Sequence, residues 1–256
     1  GTLSGTVTIN ACDTTATIDI DAINDGVVEG DETLELTLAS TSDDPNVTLI
    51  GATTATLTLT DNEITLSAPN GGNFGLSLAS DGTNLLIGAP EVEQAYRYDT
   101  NGELVRTFDN PNTNTDEDFG WSVALNGDNY YVGAPLVDGA VSDVGAVYQF
   151  DGSNTSIFDN PTAGDGGEFG GAIALVGNQV AIGVPEEDLN GNTNSGVVQV
   201  FDSAGGTPVT IENPTPQAIV QDERFGFSVA AAGSDLLIGA PLAVNCGTSY
   251  AGEAYF

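Results

Sequence analysis

The chain has no histidine, no methionine and no lysine, and its only cationic side chains are Arg97, Arg106 and Arg224. Against them stand 37 Asp and Glu residues, a formal net charge of −34 over 256 residues. Without histidine, Ser-His-Asp and Cys-His catalysis and histidine-containing zinc sites are excluded. Without Lys and Arg clusters, nucleic acid and anionic lipid find no complementary surface. No stretch approaches the roughly 20 apolar residues of a membrane helix. There is also no signal-peptide pattern and no starting Met, so the sequence reads as a mature segment of something longer. Two cysteines, Cys12 in "NACDTT" and Cys246 in "AVNCGTSY", fit an oxidising extracellular compartment; whether they pair within one molecule, between neighbours or not at all stays open.

What is abundant is acid, glycine and alternation. A single carboxylate is ordinarily a solvated surface group, but so acidic a surface attracts divalent cations or suits a screening, salty medium. With 33 Gly and 11 Pro beside 40% hydrophobic residues, the composition is that of a turn-rich globular protein. Segments such as "TATIDIDAI", "TLELTLAS", "AVYQF" and "VVQVF" alternate with period two between Asn-Gly, Asp-Gly and Asn-Pro turn signals. The pattern is all-β.

One phrase recurs from residue 74 onward: "FGLSLASDGTNLLIGAP", "FGWSVALNGDNYYVGAP", "FGGAIALVGNQVAIGVP" and "FGFSVAAAGSDLLIGAP". Their first Phe residues, 74, 119, 169 and 225, are 45, 50 and 56 residues apart. A period of that length with several short strands per unit is the signature of a β-propeller blade. Each unit parses into a Phe-Gly strand, a Gly-Ala-Pro strand, an aromatic third strand and a fourth ending in Asn-Pro. Small residues in the inner strands permit close backbone approach, and proline ends each second strand without removing a ladder bond. The last copy stops at its third strand, "GEAYF", whereas "EITLSAPNGG", residues 63–72, precedes the first copy as an orphan fourth strand, with residues 64–68 as the closing strand. Pairing the two would close a ring of four blades; the competing reading is that more blades follow.

Residues 64–256 resemble FG-GAP repeats, the blades of integrin α-subunit heads and of many secreted bacterial proteins. The resemblance rests on Phe74-Gly75 with Gly88-Ala89-Pro90, Phe119-Gly120 with Gly133-Ala134-Pro135, Phe169-Gly170 with Gly183-Val184-Pro185, and Phe225-Gly226 with Gly239-Ala240-Pro241. Residues 1–63 resemble a Calx-β domain in "SGTVTINACDTTATIDIDAINDGVVEGDETLELTLAS" and the closing "ATLTLTDNE". The expected fold is therefore a partial Calx-β sandwich, immunoglobulin-like and lacking its leading strands, followed by a four-bladed propeller.

Calcium requires several hard oxygen ligands, and "INDGVVEGDE", residues 23–32, is the densest cluster of them. The Calx-β resemblance implies calcium between this loop and the one after the last strand, on Asp25, Glu29, Glu32 and Asp61, with Asn24 and Asn62 where many relatives carry Asp. The FG-GAP resemblance points to "DLNGNTNSG", where Asp188, Asn190, Asn192 and Asn194 alternate as calcium ligands do, although Gly196 replaces a final Asp; a plain hairpin is the competing reading. Paired acids suggest glycoside hydrolysis, but "DEDFG", "DGGEFG" and "QDERFG" recur in phase, as a structural turn does. Trp121, inside a predicted inner strand, reads as core. These features lead to a non-enzymatic, calcium-stabilised, extracellular or cell-surface segment with structural and adhesive roles. Its partners would be neighbouring copies or adjacent domains. The alternative is a module that recognises a glycan or protein on the loop face.

Overall fold

The computed structural model describes residues 31–37, 54–59, 64–112, 116–139, 141–162, 166–189, 191–214, 222–243 and 251–256. The chain divides into two compact units, Gly1–Thr65 and Leu66–Phe256. In the first unit the described residues form one antiparallel pair, β1 (Glu32–Thr37) with β2 (Thr54–Leu59), in which Leu34 faces Leu57. Along β1, half-buried Leu34 and Leu36 alternate with exposed threonine and glutamate, as one covered sheet face requires. The rest of the expected sandwich lies outside the described residues.

The second unit is a propeller arrangement of four antiparallel blades. Blade 1 is β3 (Leu78–Ser80), β4 (Asn84–Ala89), β5 (Gln94–Asp99) and β6 (Leu104–Asp109). Blade 2 is β7 (Ser122–Asn126), β8 (Asn129–Ala134), β9 (Ala146–Asp151) and β10 (Asn154–Asp159). Blade 3 is β11 (Ala172–Val176), β12 (Gln179–Val184), β13 (Val197–Asp202) and β14 (Val209–Glu212). Among the described residues blade 4 has three strands, β15 (Ser228–Ala232), β16 (Asp235–Ala240) and β17 (Glu253–Tyr255). Each blade is a meander, its strands pairing in chain order, and the innermost strands β3, β7, β11 and β15 neighbour one another in that sequence.

The core lies between blades. Leu86, Ala95 and Phe108 of blade 1 join Phe119, Val132 and Tyr148 of blade 2 in one buried cluster. Tyr131, Val147 and Phe158 then meet Phe169, Val180 and Ile182 of blade 3. Ala181 and Val198 meet Phe225 and Ile238 of blade 4. Phe119, Phe169 and Phe225 are fully or almost fully buried, each contributing about 1.5–3 kcal/mol by burial. Every repeat phenylalanine also meets a third-strand ring in its own blade: Phe74 with Tyr96 at 5.7 Å, Phe119 with Tyr148 at 5.6 Å, Phe169 with Phe201 at 6.0 Å and Phe225 with Tyr255 at 5.3 Å.

Residues 64–68 do not form the expected closing strand. They carry no ladder bonds and leave β15–β16–β17 at three strands. Leu66 and Ala68, like Phe74, instead pack on blade 1 against the buried cluster of Ile87, Ala89, Tyr96 and Tyr98, and the Tyr98 hydroxyl donates to the Ser67 carbonyl at 2.9 Å. The apolar alternation of "EITLS" is satisfied by that aromatic face, with no neighbouring strand edge involved.

Candidate functional site

The recurring glycines form a repeated junction. Phe and Gly of each Phe-Gly pair are the central residues of a turn closed by an N–H to carbonyl bond: Leu76 to Asn73, Trp121 to Asp118, Gly171 to Glu168 and Phe227 to Arg224. The glycine φ values, +92°, +103°, +95° and +90°, fit the third position of a type II turn, which favours Gly. The N–H of that glycine bonds the carbonyl of its own blade's Gly-Ala-Pro glycine, for example Gly120 to Gly133 at 3.0 Å. Its carbonyl points at the previous blade. A Cβ on Gly88, Gly133 or Gly183 would lie 1.9, 2.2 or 2.0 Å from the carbonyl oxygen of Gly120, Gly170 or Gly226 respectively. The Ser77 hydroxyl donates to the Gly120 carbonyl at 2.8 Å, and the Ser122 hydroxyl to Gly170 at 2.6 Å. Blade 3 has Ala172 at this position and lacks the bond. The motif is a seat that admits the neighbouring backbone.

Acidic residues serve the same junctions. Glu93, in the short loop after Pro90, accepts N–H bonds from Glu117, Asp118 and Phe119 at 2.9, 2.9 and 3.0 Å. At the later junctions longer loops supply backbone carbonyls instead: Phe169 donates to Val144 and Phe225 to Ser195. The Asn110 amide donates to Glu93 and Glu117, and Asn112 donates to Glu117 and to the Tyr148 hydroxyl. Burial pushes the Tyr148 phenol up to about 12. At the last junction the Asn213 amide donates to Glu223, both groups buried. Gly167 takes the place of these glutamates at the middle junction, where a Cβ would lie 3.0 Å from the Glu187 carboxylate.

Beside these buried acids lies a more exposed group. Arg224 pairs with Glu186 at 2.6 Å and with Asp222 at 2.7 Å. Burial raises the carboxyl pKa of Glu168, with Glu186, Asp143 and Asp118 adding to the effect and Arg224 opposing it. Burial likewise raises Asp118, helped by Glu93, Asp116 and Glu91. A carboxyl with a raised native pKa binds its proton more tightly folded than unfolded, so its contribution falls as pH rises from the ordinary value through the raised one. Glu168→Gln is therefore expected to raise the unfolding midpoint at pH 7. The gain should shrink as pH falls towards 4.5, the ordinary glutamate value. A gain independent of pH, followed by thermal melts, would rule out this titration as the cause.

The candidate calcium ligands are not gathered in the described structure. Asp25, Glu29 and Asp61, with Asn24 and Asn62, lie outside the described residues; Glu32 opens β1. In the 188–196 loop, Asp188 is the single carboxylate, and it accepts the Asn194 N–H at 2.8 Å. Leu189 and Asn192 pair across the hairpin, and Asn190 lies outside the described residues. Blade 2 repeats the arrangement without the asparagines: Asp138 accepts the Asp143 N–H at 3.2 Å. Among the described residues, no group of three or more His, Cys, Asp or Glu side chains is placed to hold a metal ion. Cys12 and Cys246 also lie outside them. Trp121 is not core: it is 43% exposed at the end of its turn, as Leu76 and Phe227 are at the same repeat position. The position just after Phe-Gly faces outward, which the apolar strand pattern concealed.

Residues 110–150 match the family model described as FG-GAP repeat. No curated protein matches the chain in sequence. Among solved structures it is similar to the computationally designed Ika4 protein, at 13% identity and TM-score 0.47, covering 75% of this chain and 95% of that one. It is also similar to a streptogramin B lyase, at 12% identity and TM-score 0.48, covering 78% and 58%. A chain of a nidogen/laminin complex is similar at 14% identity and TM-score 0.44, covering 64% and 54%. Against these two natural proteins the chain spans less than two thirds of their length.

Proposed function

We propose that the chain is a non-catalytic structural and adhesive segment of a secreted bacterial surface protein, stabilised by calcium and joined to neighbouring modules or copies. The observation that carries this reading is the deployment of its acids. Glu93, Glu117 and Glu223 hold backbone N–H groups or asparagine amides at blade junctions, so the acids that recur next to Phe-Gly serve the scaffold. The FG-GAP match supports a binding or structural module, and such repeats are typical of extracellular proteins. A surface of charge −34 with almost no cations suits a medium where salt or divalent ions screen self-repulsion.

Calcium belongs, in this reading, to the first unit's loops at Asp25, Glu29, Glu32 and Asp61. A ligand bound by the native state alone stabilises it by RT ln(1 + [L]/Kd), about 2.7 kcal/mol at a hundredfold excess over Kd. Thermal unfolding in millimolar calcium should come later than in chelator at equal ionic strength, the gain being lost in Asp25→Asn/Glu29→Gln. Identical midpoints would remove the metal from the account. Protease treatment of intact cells making the native protein tests location: digestion without lysis is expected, and full protection would place it inside.

A second reading, recognition of a glycan or protein ligand, is favoured by the exposed Trp121 side chain. Titrating soluble glycans while following the emission of this single tryptophan separates the readings, because a saturable shift lost in Trp121→Ala favours recognition.

A further inference from the structure

We infer that Arg97, Arg106 and Tyr130 form a binding site for an oxyanion, a sulfate or carboxylate group, at the edge of the cleft between blades 1 and 2. The two arginines are cross-strand partners on β5 and β6, and both reach over rings of this junction. Arg97 stands 5.5 Å from the Tyr130 ring centroid, and Arg106 stands 4.5 Å from that of Phe108 and 5.9 Å from that of Phe150. The Phe108 and Tyr130 rings are themselves 5.1 Å apart, so both guanidiniums gather on one aromatic platform. Like charges directly opposite on neighbouring strands destabilise a sheet. Yet among the described residues the ion pairs are those of Arg224. In a chain with 37 Asp and Glu residues, two adjacent cations without a carboxylate partner are suited to an anion from outside.

The donors are held in place. Arg97 Nε donates to Asn84 Oδ1 at 2.8 Å, and the buried Asn84 amide donates in turn to Asp81 at 3.1 Å. Arg106 Nη1 donates to the Gly152 carbonyl of blade 2 at 2.7 Å. A guanidinium fork has further N–H donors, and both side chains are half-buried, so solvent still reaches them. Tyr130 is 2% exposed and, among the described residues, its hydroxyl has no hydrogen-bond partner. Burial raises the phenol pKa, with Asp128 and Asp81 adding to the effect and Arg97 and Arg106 opposing it. The hydroxyl therefore lies in the field of both arginines, where it can donate to an anion they hold. The constellation is not repeated: the same positions carry Gln149, Ser156 and Val180 between blades 2 and 3, and Val200, Val209 and Leu236 between blades 3 and 4. A scaffold device recurs from blade to blade, as the glycine seats do; this group of donors belongs to one cleft. The inference goes beyond the functional reading and does not depend on it.

Nuclear magnetic resonance of the arginine Nε–H groups tests it, because three arginines give three signals. Sodium sulfate and sodium acetate are titrated separately into the full chain. Sodium chloride holds the ionic strength constant and high enough to screen the charge of −34, which repels anions at long range. Saturable shifts of the Arg97 and Arg106 signals are expected, with Arg224, engaged by Glu186 and Asp222, unmoved. Saturation by sulfate alone assigns a tetrahedral ligand, and by acetate alone a carboxylate. Arg97→Gln should weaken the binding seen at Arg106 about tenfold, as loss of a hydrogen bond to a charged group does, and Tyr130→Phe should weaken it by a smaller factor. Shifts that stay linear with concentration, that move Arg224 equally, or that persist unchanged in Arg97→Gln would overturn the proposal. If Arg97→Gln does not fold, the titration of the parent still decides, since it needs no variant.

Discussion

Gly133→Ala is expected to cost at least about 3 kcal/mol of stability, at the upper end of what overpacking does in a close-packed interior. The added Cβ would lie 2.2 Å from the Gly170 carbonyl oxygen and 2.3 Å from the Ser122 hydroxyl. The hydroxyl can rotate away, but the carbonyl belongs to a turn closed by its own hydrogen bond, from the Gly171 N–H to the Glu168 carbonyl. The neighbouring blade must therefore back off, loosening the cluster that holds Tyr131, Val147 and Phe169. Gly183→Ala, with 2.0 Å to the Gly226 carbonyl, should cost a similar amount. The contrast is Gly239→Ala, whose nearest neighbours are Ser228 side-chain and carbonyl atoms of its own blade; a change below about 1 kcal/mol is expected there. Urea unfolding of the three variants measures the differences, and equal losses at Gly133 and Gly239 would refute the inter-blade role.

Glu93→Ala should have the second largest effect, a loss of roughly 3 kcal/mol. Its carboxylate accepts three consecutive backbone N–H groups where blade 2 begins and also takes a bond from the Asn110 amide. Hydrogen bonds to a charged group contribute about 1.5–3 kcal/mol each, and a donor left dry costs about 1–3 kcal/mol. Water entering the half-buried junction recovers part of that. Glu93→Gln keeps one acceptor oxygen without the charge and should fall between the parent and the alanine variant. Glu91→Ala, two residues away and exposed, should stay within about 0.5 kcal/mol of the parent. Thermal melts rank the three, and a Glu91 loss as large as that of Glu93 would contradict the assigned role.

Much of the blade architecture is legible in the residues. Four in-phase copies of Phe-Gly and Gly-Ala-Pro mark blade number, the order of strands and the need for small residues. The partner of those glycines is less legible, since only assembled blades show that the crowding atom is the next blade's Phe-Gly carbonyl. Glu93 leaves no repeat signal because it occurs once, in the shortest loop, where a side chain does what backbone carbonyls of Val144 and Ser195 do at later junctions. The "EITLS" segment alternates as a strand does, but alternation records one covered face and says nothing of a ladder partner; Tyr96 and Tyr98 provide the cover. Asp188 resembles a metal ligand in sequence because an acid in an Asn-Gly loop serves equally to hold a backbone N–H, as Asp138 does in a loop without that motif.

If the blades are held together chiefly through these junctions, local stability must follow how many junctions a blade makes. Blades 2 and 3 are joined on both sides, whereas blade 4 is joined on one. Native-state hydrogen exchange, read blade by blade at concentrations where the protein is monomeric, measures this directly. The amides of β8 and β12 are predicted to exchange only through global unfolding, while those of β15–β17 open earlier and faster. Equal protection in all four blades, or slowest exchange in blade 4, would contradict the account.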